Sequence, residues 1–539
     1  MSSKKWFFCI CCLAILCFSV SAVSLDLETY ENKVLGGWLG QMIGNIFGLP
    51  TEGHFIQSPG PSSLTYYETI PSHALVDDDT FNEIVWLYAL EKYGLDITSA
   101  ELAQEWKEQI SAGDMACANW AARLNIEKGI LPPLSGHPSN NSYSTYIDAQ
   151  IEADIWGLLS PGRPDLASSY ASLMSELMNY SDGEYGARFI AAMYALVFIN
   201  DDIPTIINKA LEFIPQESRY YEVIKASIEA HKEFPDRYRR ARSRIISKYY
   251  INKMTPSGGW VQADVNGAMV VLALLYGERD FDKTIALAVQ LGLDNDCNAA
   301  TAAGIMGTLL GADKIPTKWS EPLNNTYLNG KRLMNVPYSL AISDIAARTA
   351  TLGIENTKKN GGTIKEKQLE IADYKIEVPA YNKPWTDDEI ASTLCKDWND
   401  NWKIQNIGWD MSPGILQSYE GRSTVFSSHP LDEKTPFAFV RTVTLPAETP
   451  MNLKLGVTSF NGSSYPDQLQ ADWLLKVYAN DQLIYEKLIQ RVDGKIVWYD
   501  LVVSLKEYAG QTVTLRVENY PNNWAWEAAY WDYLDLEVQ

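Results

Sequence analysis

Gly36, Gly40, Gly44 and Gly48 recur at every fourth position near the start of a run whose apolar spacing is helical. Each glycine inside a helix costs about 1 kcal/mol relative to alanine. Four on one face are tolerable only if the bare stripe lets another backbone approach very closely. A second segment repeats the device, with Ala300, Ala303, Gly304, Gly307 and Gly311 following Asp296. Both helices are therefore expected at the centre of a tightly packed domain. The membrane reading of such small-residue spacing does not apply to a chain this polar.

From about Leu27 to Gly353 the apolar residues keep three and four spacing, with Gly or Pro between segments. Phe81, Ile84, Val85 and Tyr88 form one such face, and Phe189, Ala192, Met193, Leu196 and Val197 another. Beyond about Cys395 the period becomes two: FAFVRTVTL, LKLGVTSF, WLLKVYAN, IVWYDLVVSL, TVTLRVENY and YLDLEVQ are short alternating runs. The expected architecture is multidomain, an all-α domain over 23–355 and an all-β, jelly-roll-like sandwich over 395–539. The polar and Pro-punctuated stretch 356–394 reads as a linker or domain edge.

Acids stand at two helix starts. Asp77, Asp78 and Asp79 precede the helix expected near Phe81, and Asp294 and Asp296 precede the glycine-lined segment. Acids suit a first turn, and Thr80 with Glu83 has the spacing of a capping box. Capping needs one acceptor or two, however, and three consecutive carboxylates on one turn repel each other unless a cation is present. Glycine-lined helices that pack closely would bring both turns around hard cations, which oxygen ligands hold.

The stretches GGWLGQMIGNIFGLPTEG from Gly36, DDDT ending at Thr80, GARFIAAMYALVF from Gly186 and GLDNDCNAATAAGIMGTLLG from Gly292 resemble the ADP-ribosylglycohydrolase family in order and spacing. The resemblance covers roughly Leu27 to Pro322. It implies an all-α fold with a binuclear Mg²⁺ centre that hydrolyses the bond from C1 of ribose to an N- or O-linked acceptor. By the same resemblance Asp78, Asp79, Asp294 and Asp296 are metal ligands, Asp77 and Cys297 stand where hydroxyl residues often bind, and Glu52 matches an acid on a loop near the substrate. The resemblance also implies Glu52, Asp79 and Asp296 as candidate catalytic carboxylates. Cys297 departs from the pattern, because Mg²⁺ does not choose a soft sulfur. The extra charge of Asp77 leaves Mn²⁺ open.

Lys4 and Lys5, the apolar run Trp6 to Phe18 and the small residues around Ser21 and Ala22 read as a signal peptide over 1–22. An exported protein, periplasmic or extracellular, is expected, with lipidation at Cys17 disfavoured by Leu16. Four of the seven cysteines fall in that segment, so Cys117, Cys297 and Cys395 form no disulfide framework. The formal charge of −22 disfavours nucleic acid as a partner. The basic run Arg237 to Arg244 reads as a solvated helix face. No later apolar run is long enough to span a bilayer.

Five histidines with no HExxH spacing argue against a zinc hydrolase. His54 reads as a polar loop residue, and carboxylates beside Cys297 would raise its thiol pKa and weaken it as a nucleophile. The β half is rich in tryptophan. Trp524 and Trp526 lie in the Asn-rich stretch YPNNWAWEAAYWDY, where exposed aromatics suit stacking on sugar rings. The expected function is thus a Mg²⁺-dependent glycohydrolase of ADP-ribosyl or related ribosyl substrates. Two alternatives stand beside it: a glycan-active furanosidase or nucleoside-type hydrolase on the same centre, and a non-catalytic glycan-binding protein.

Overall fold

The computed structural model describes residues 23–67, 69–75, 77–252, 255–411, 413–461, 471–522 and 526–539. The signal-peptide reading over 1–22 and Trp524 lie outside the described residues. The first half is a helical body organised on the helix Leu27–Gly48, which runs antiparallel to the helix Asn295–Leu310. A Cβ on Gly36, Gly40, Gly44 or Gly48 would overlap main-chain atoms of Gly307, Ala303, Ala299 and Asp296 respectively. The glycine stripe is thus a backbone-to-backbone seam, as its spacing implies. Helices Ala263–Gly277, Phe281–Leu291 and Ile342–Lys359 pack around this pair, and one continuous apolar core fills the body.

Asp26 begins the first helix by accepting a hydrogen bond from Thr29 N at 3.0 Å. Just before it, the strand Val23–Asp26 pairs antiparallel with Gln368–Ile371, which pairs in turn with Thr363–Lys365. The helical body therefore reaches past the expected boundary at 355: its last long helix runs to Lys359, and the following hairpin closes on the first strand. The polarity of Lys358 to Lys365 reflects a solvated hairpin edge, which composition alone does not separate from a linker.

The second half is a sandwich of two five-stranded antiparallel sheets. One has the order Tyr499–Ser504, Met451–Ser459, Ala529–Val538, Arg422–Ser428, Gly414–Tyr419; the other Gln482–Ile489, Trp473–Ala479, Thr512–Tyr520, Phe437–Thr444, Lys403–Gln405. All six alternating runs are strands. Aromatic residues fill the space between sheets, where Trp473 meets Trp531 with ring centroids 5.3 Å apart and Phe439 meets Trp531 at 5.3 Å. The helix Asp387–Trp398 joins the two halves. Its Ala391 and Cys395 enter the sandwich core, while Asp387 accepts hydrogen bonds from Ser257 N and Oγ at 3.1 and 2.8 Å. Composition reads this stretch as a linker or domain edge, and its helix contacts both domains. No helix among the described residues is long and apolar enough to cross a membrane.

Candidate metal centre

The acidic turn after Ala74 enters its helix earlier than the cap spacing implies. The helix is Asp78–Tyr93, with Asp77 extended before it and its carboxylate accepting from Asp78 N at 3.0 Å. The Asn45 amide also donates to Asp77. Thr80 and Glu83 form no capping box. Glu83 is buried and accepts from Gln41 Nε2 at 3.0 Å and Ile155 N at 3.1 Å. With Asp77 already at the cap, Thr80 lies inside the first turn and its side chain is released from that task.

The second turn is set by backbone strain. Leu293 adopts φ +66°, a left-handed conformation rare for a branched side chain, directly after Gly292 at φ +77°. Two neighbours hold it. Leu293 N donates to Phe55 O at 3.3 Å, and Asp294 N donates to Asn266 Oδ1 at 3.2 Å. Asn298 Nδ2 donates to the same Asn266 oxygen at 2.8 Å. The Asp294 side chain makes no cap bond to the helix Asn295–Leu310, so the simple capping account fails here.

The seam brings the two turns together. Ligand atoms of Asp78, Asp79 and Cys297 all lie within 4.8 Å of one another, and so do those of Asp294, Asp296 and Cys297. Cys297 Sγ is thus common to two acid pairs separated by more than two hundred residues in the chain. Asp79 is fully buried, and neither of its carboxylate oxygens has a hydrogen-bond partner among the described residues; Asp296 Oδ1 and Thr80 Oγ1 are likewise unpartnered. Burial, then repulsion by the neighbouring acids, pushes Asp78, Asp79 and Asp296 far above the usual carboxylate range, and Asp294 with them. Buried, orphaned, mutually repelling carboxylates with hard oxygen donors fit divalent cations such as Mg²⁺, which would restore the ionised forms. Cys297 is the misfit: burial and the same acids push its thiol upward, so it stays protonated and is a poor ligand for a hard ion.

Glu52 sits at the rim, exposed, on the loop that follows the first helix. Partial desolvation and Asp77 raise its carboxyl above the ordinary value. The loop is held by a residue whose role the basic run concealed. Arg242 is buried, not solvated, and donates to Leu291 O, Phe55 O at 2.9 Å and Ile56 O at 2.7 Å. It stands on the inward stripe of the helix Tyr238–Tyr249 with Ala241, Ile245 and Tyr249, a spacing that could have revealed it.

Two further groups near the acids escape the reading of the sequence. Asp148 is buried, accepts from Asn119 N at 2.8 Å, keeps its other oxygen unpartnered, and is pushed up to about 7 by burial. Cys117, at φ +46°, is raised by burial and then by Asp148, Asp294 and Asp78. The run YIDAQIEADIW, with three acids among apolar residues, carried that signal. His54 lies exposed beyond Glu52. Trp526, in the sandwich, is half-buried and stacks on Phe460 with ring centroids 5.2 Å apart.

The family model for ADP-ribosylglycohydrolases matches residues 26–352. Among solved structures, one described as an ADP-ribosylglycohydrolase-related protein complex is 15% identical, with 60% of this chain and 99% of that chain covered and a TM-score of 0.39. A Stig cyclase from Fischerella sp. TAU is 14% identical, covering 26% of this chain and 74% of its own, at a TM-score of 0.18. A structure described as "CBM4 structure and function" is 12% identical, covering 27% and 94%, at 0.19. No curated protein matches the chain. The three structural likenesses are too low to bear on function.

Proposed function

The chain belongs to the ADP-ribosylglycohydrolase family, a family of hydrolases, and from that premise we propose that it is an exported, metal-dependent glycohydrolase acting at C1 of a ribosyl or related furanosyl group. The observation that carries this reading is the convergence of two acid pairs, Asp78 with Asp79 and Asp294 with Asp296, on the buried Cys297. Those four carboxylates would hold two Mg²⁺ ions, or Mn²⁺, with Asp77 bearing on them from the cap position. Bound there, the ions would supply positive charge beside the ribose hydroxyls and the attacking water.

The protein groups do the rest. Breaking the bond at C1 develops positive charge on the furanose ring, which the surrounding carboxylates stabilise. Water adds to C1 and its proton passes to a carboxylate, Asp79 or Asp296, while the bond to the N- or O-linked group breaks and that group leaves with the bonding pair. Glu52, its carboxyl raised above the ordinary value by partial desolvation and then by Asp77, stands on the rim loop where it can deliver a proton to the departing group. Arg242 positions that loop by its three carbonyl bonds.

A second reading keeps the same centre and takes furanose-containing glycans, which export and the aromatic sandwich favour. The experiment measures free ADP-ribose from modified peptides and sugar from furanose-terminated glycans, each with and without chelator, for the parent chain and Asp296→Ala. Release that chelator and Asp296→Ala both abolish is expected. Hydrolysis indifferent to both, or no hydrolysis of either class with Mg²⁺ or Mn²⁺ bound, overturns the proposal.

A further inference from the structure

The loop that follows Glu52 and the sandwich domain face one another across a cleft. A cavity of about 620 Å³ is walled on the helical side by Gly53, the residue after Glu52, and by Trp260, and on the sandwich side by Trp409 and Asp410. A second cavity of about 230 Å³ shares Thr255, Trp409 and Asp410 with the first and adds Tyr146. Tyr146 and Trp260 both pack in the small apolar cluster that includes Cys297. The two cavities thus wrap one sandwich loop, lying between the strands Lys403–Gln405 and Gly414–Tyr419, and share Tyr146 and Trp260 with the cluster that holds Cys297.

The lining has a definite chemistry. Trp260 and Trp409 are half-buried, leaving indole surface toward the cleft. Gln57 and Asn252 stand beside them, joined by a 2.6 Å bond from Gln57 Nε2 to Asn252 Oδ1, which leaves one amide acceptor and one amide donor to the cleft. Asp410 and Asp432 add carboxylates, and no Lys or Arg lines either cavity among the described residues. Flat aromatic faces beside amides and carboxylates suit rings with C–H faces and hydroxyl edges, and a diphosphate would meet like charge here. A cavity of this volume is within the range of small-ligand sites.

We propose that the sandwich domain completes the substrate cleft, and that Trp409 and Asp410, with Trp260, bind the uncharged saccharide units attached to the furanose that the acidic centre cleaves. The inference rests on the proposed function and narrows its substrate to a neutral glycan. Trp409 supplies a stacking surface and Asp410 accepts from sugar hydroxyls; neither touches the reacting carbon.

The test uses the full chain with Mg²⁺. Neutral tri- to pentasaccharides ending in a furanose are compared with a nitrophenyl furanoside, which fills only the centre. Trp409→Ala is expected to raise KM for the oligosaccharide by about tenfold, the scale of one lost stacking contact, and to leave kcat and the nitrophenyl reaction unchanged. Asp410→Ala, at an exposed position that leaves the packing intact, is expected to act in the same direction. Equal loss on both substrates, or no change on either, overturns the proposal. Binding of the same oligosaccharides, followed by tryptophan fluorescence in Asp296→Ala, separates this idea from the reading it rests on. Binding that Trp409→Ala abolishes supports the cleft even if no substrate is cut. ADP-ribose binding in place of the oligosaccharide, and lost in Trp409→Ala, overturns it.

Discussion

Gly48, the last residue of the first helix, lies so close to Asp296 that a Cβ on the glycine would overlap the aspartate's Cα. The helix seam and the acidic centre are therefore one structure. Gly48→Ala is expected to push the first turn of the helix Asn295–Leu310 aside and weaken Mg²⁺ binding by about tenfold or more. Gly44→Ala, mid-seam against Ala299, is expected to cost several kcal/mol of stability, about the scale of core overpacking. Calorimetric Mg²⁺ titration beside urea unfolding distinguishes the two. A Gly48→Ala protein that binds like the parent would uncouple seam from site.

Asp79 offers a test of whether a cation is what the buried acids await. Both its oxygens are unpartnered and its neighbours repel its charge. Asp79→Asn removes that repulsion while keeping size. The metal-free variant should be at least as stable as the parent, whereas saturating Mg²⁺, which at a hundredfold excess over Kd stabilises by about 2.7 kcal/mol, should no longer raise its Tm. Melting curves with and without Mg²⁺ read both effects. A variant that melts earlier than the parent without metal would make Asp79 a structural residue.

The acids and the glycines were legible because each is a local pattern whose cost demands a partner: self-repelling charge at Asp77 to Asp79, and lost helix propensity at Gly36 to Gly48. The helical and sandwich halves were legible because apolar period changes from three and four to two. Arg242 was misread because a run of arginines on a helix looks uniform until its inward stripe is traced through Ala241, Ile245 and Tyr249. The hairpin after Lys359 and the Trp409 loop escaped for another reason. Each depends on segments far apart in the chain coming together, such as those of Trp409 and Thr255, which line one cavity, and no periodicity or spacing encodes that.

Cys297 stands where two acid pairs meet, as a protonated thiol. Cys297→Ser replaces sulfur with a hard oxygen of similar reach. Mg²⁺ affinity is expected to rise by about tenfold, or about 1.4 kcal/mol, and affinity for soft Cd²⁺ to fall. Competition calorimetry with the two ions measures the exchange. Unchanged affinity for both would place the thiol outside the coordination shell.

Arg242 ties the Glu52 loop to the turn before Asp294 through the carbonyls of Leu291, Phe55 and Ile56. Arg242→Lys keeps the charge and loses the planar fork, so at least one buried carbonyl goes unpaired. A loss of about 2 kcal/mol in urea unfolding is expected, with faster proteolytic cutting between residues 52 and 60. Equal proteolysis in parent and variant would show that the loop is held by other means.

Asp182 gives the metal-free protein a pH dependence that can be signed. It opens the helix Asp182–Leu196, accepts from Tyr220 N at 2.8 Å, and is pushed up to about 7 by burial and then by Asp264. Unfolded, it titrates near 3.9. A carboxyl whose folded pKa is raised favours folding in its protonated form, so its contribution is complete below about pH 4 and is lost as pH rises through about 7. Asp182→Asn keeps the acceptor for Tyr220 and never ionises. Any fixed cost of the amide is the same at every pH, so the slope carries the answer. From pH 4 to 8 the variant should gain on the parent by an amount on the order of 2 to 4 kcal/mol, since each tenfold change in proton affinity between the folded and unfolded chain is worth about 1.4 kcal/mol. Urea unfolding at intervals across that range reads the difference. A parent that gains on the variant as pH rises would mean that Arg219, which already pairs with Asp264, holds Asp182 ionised instead.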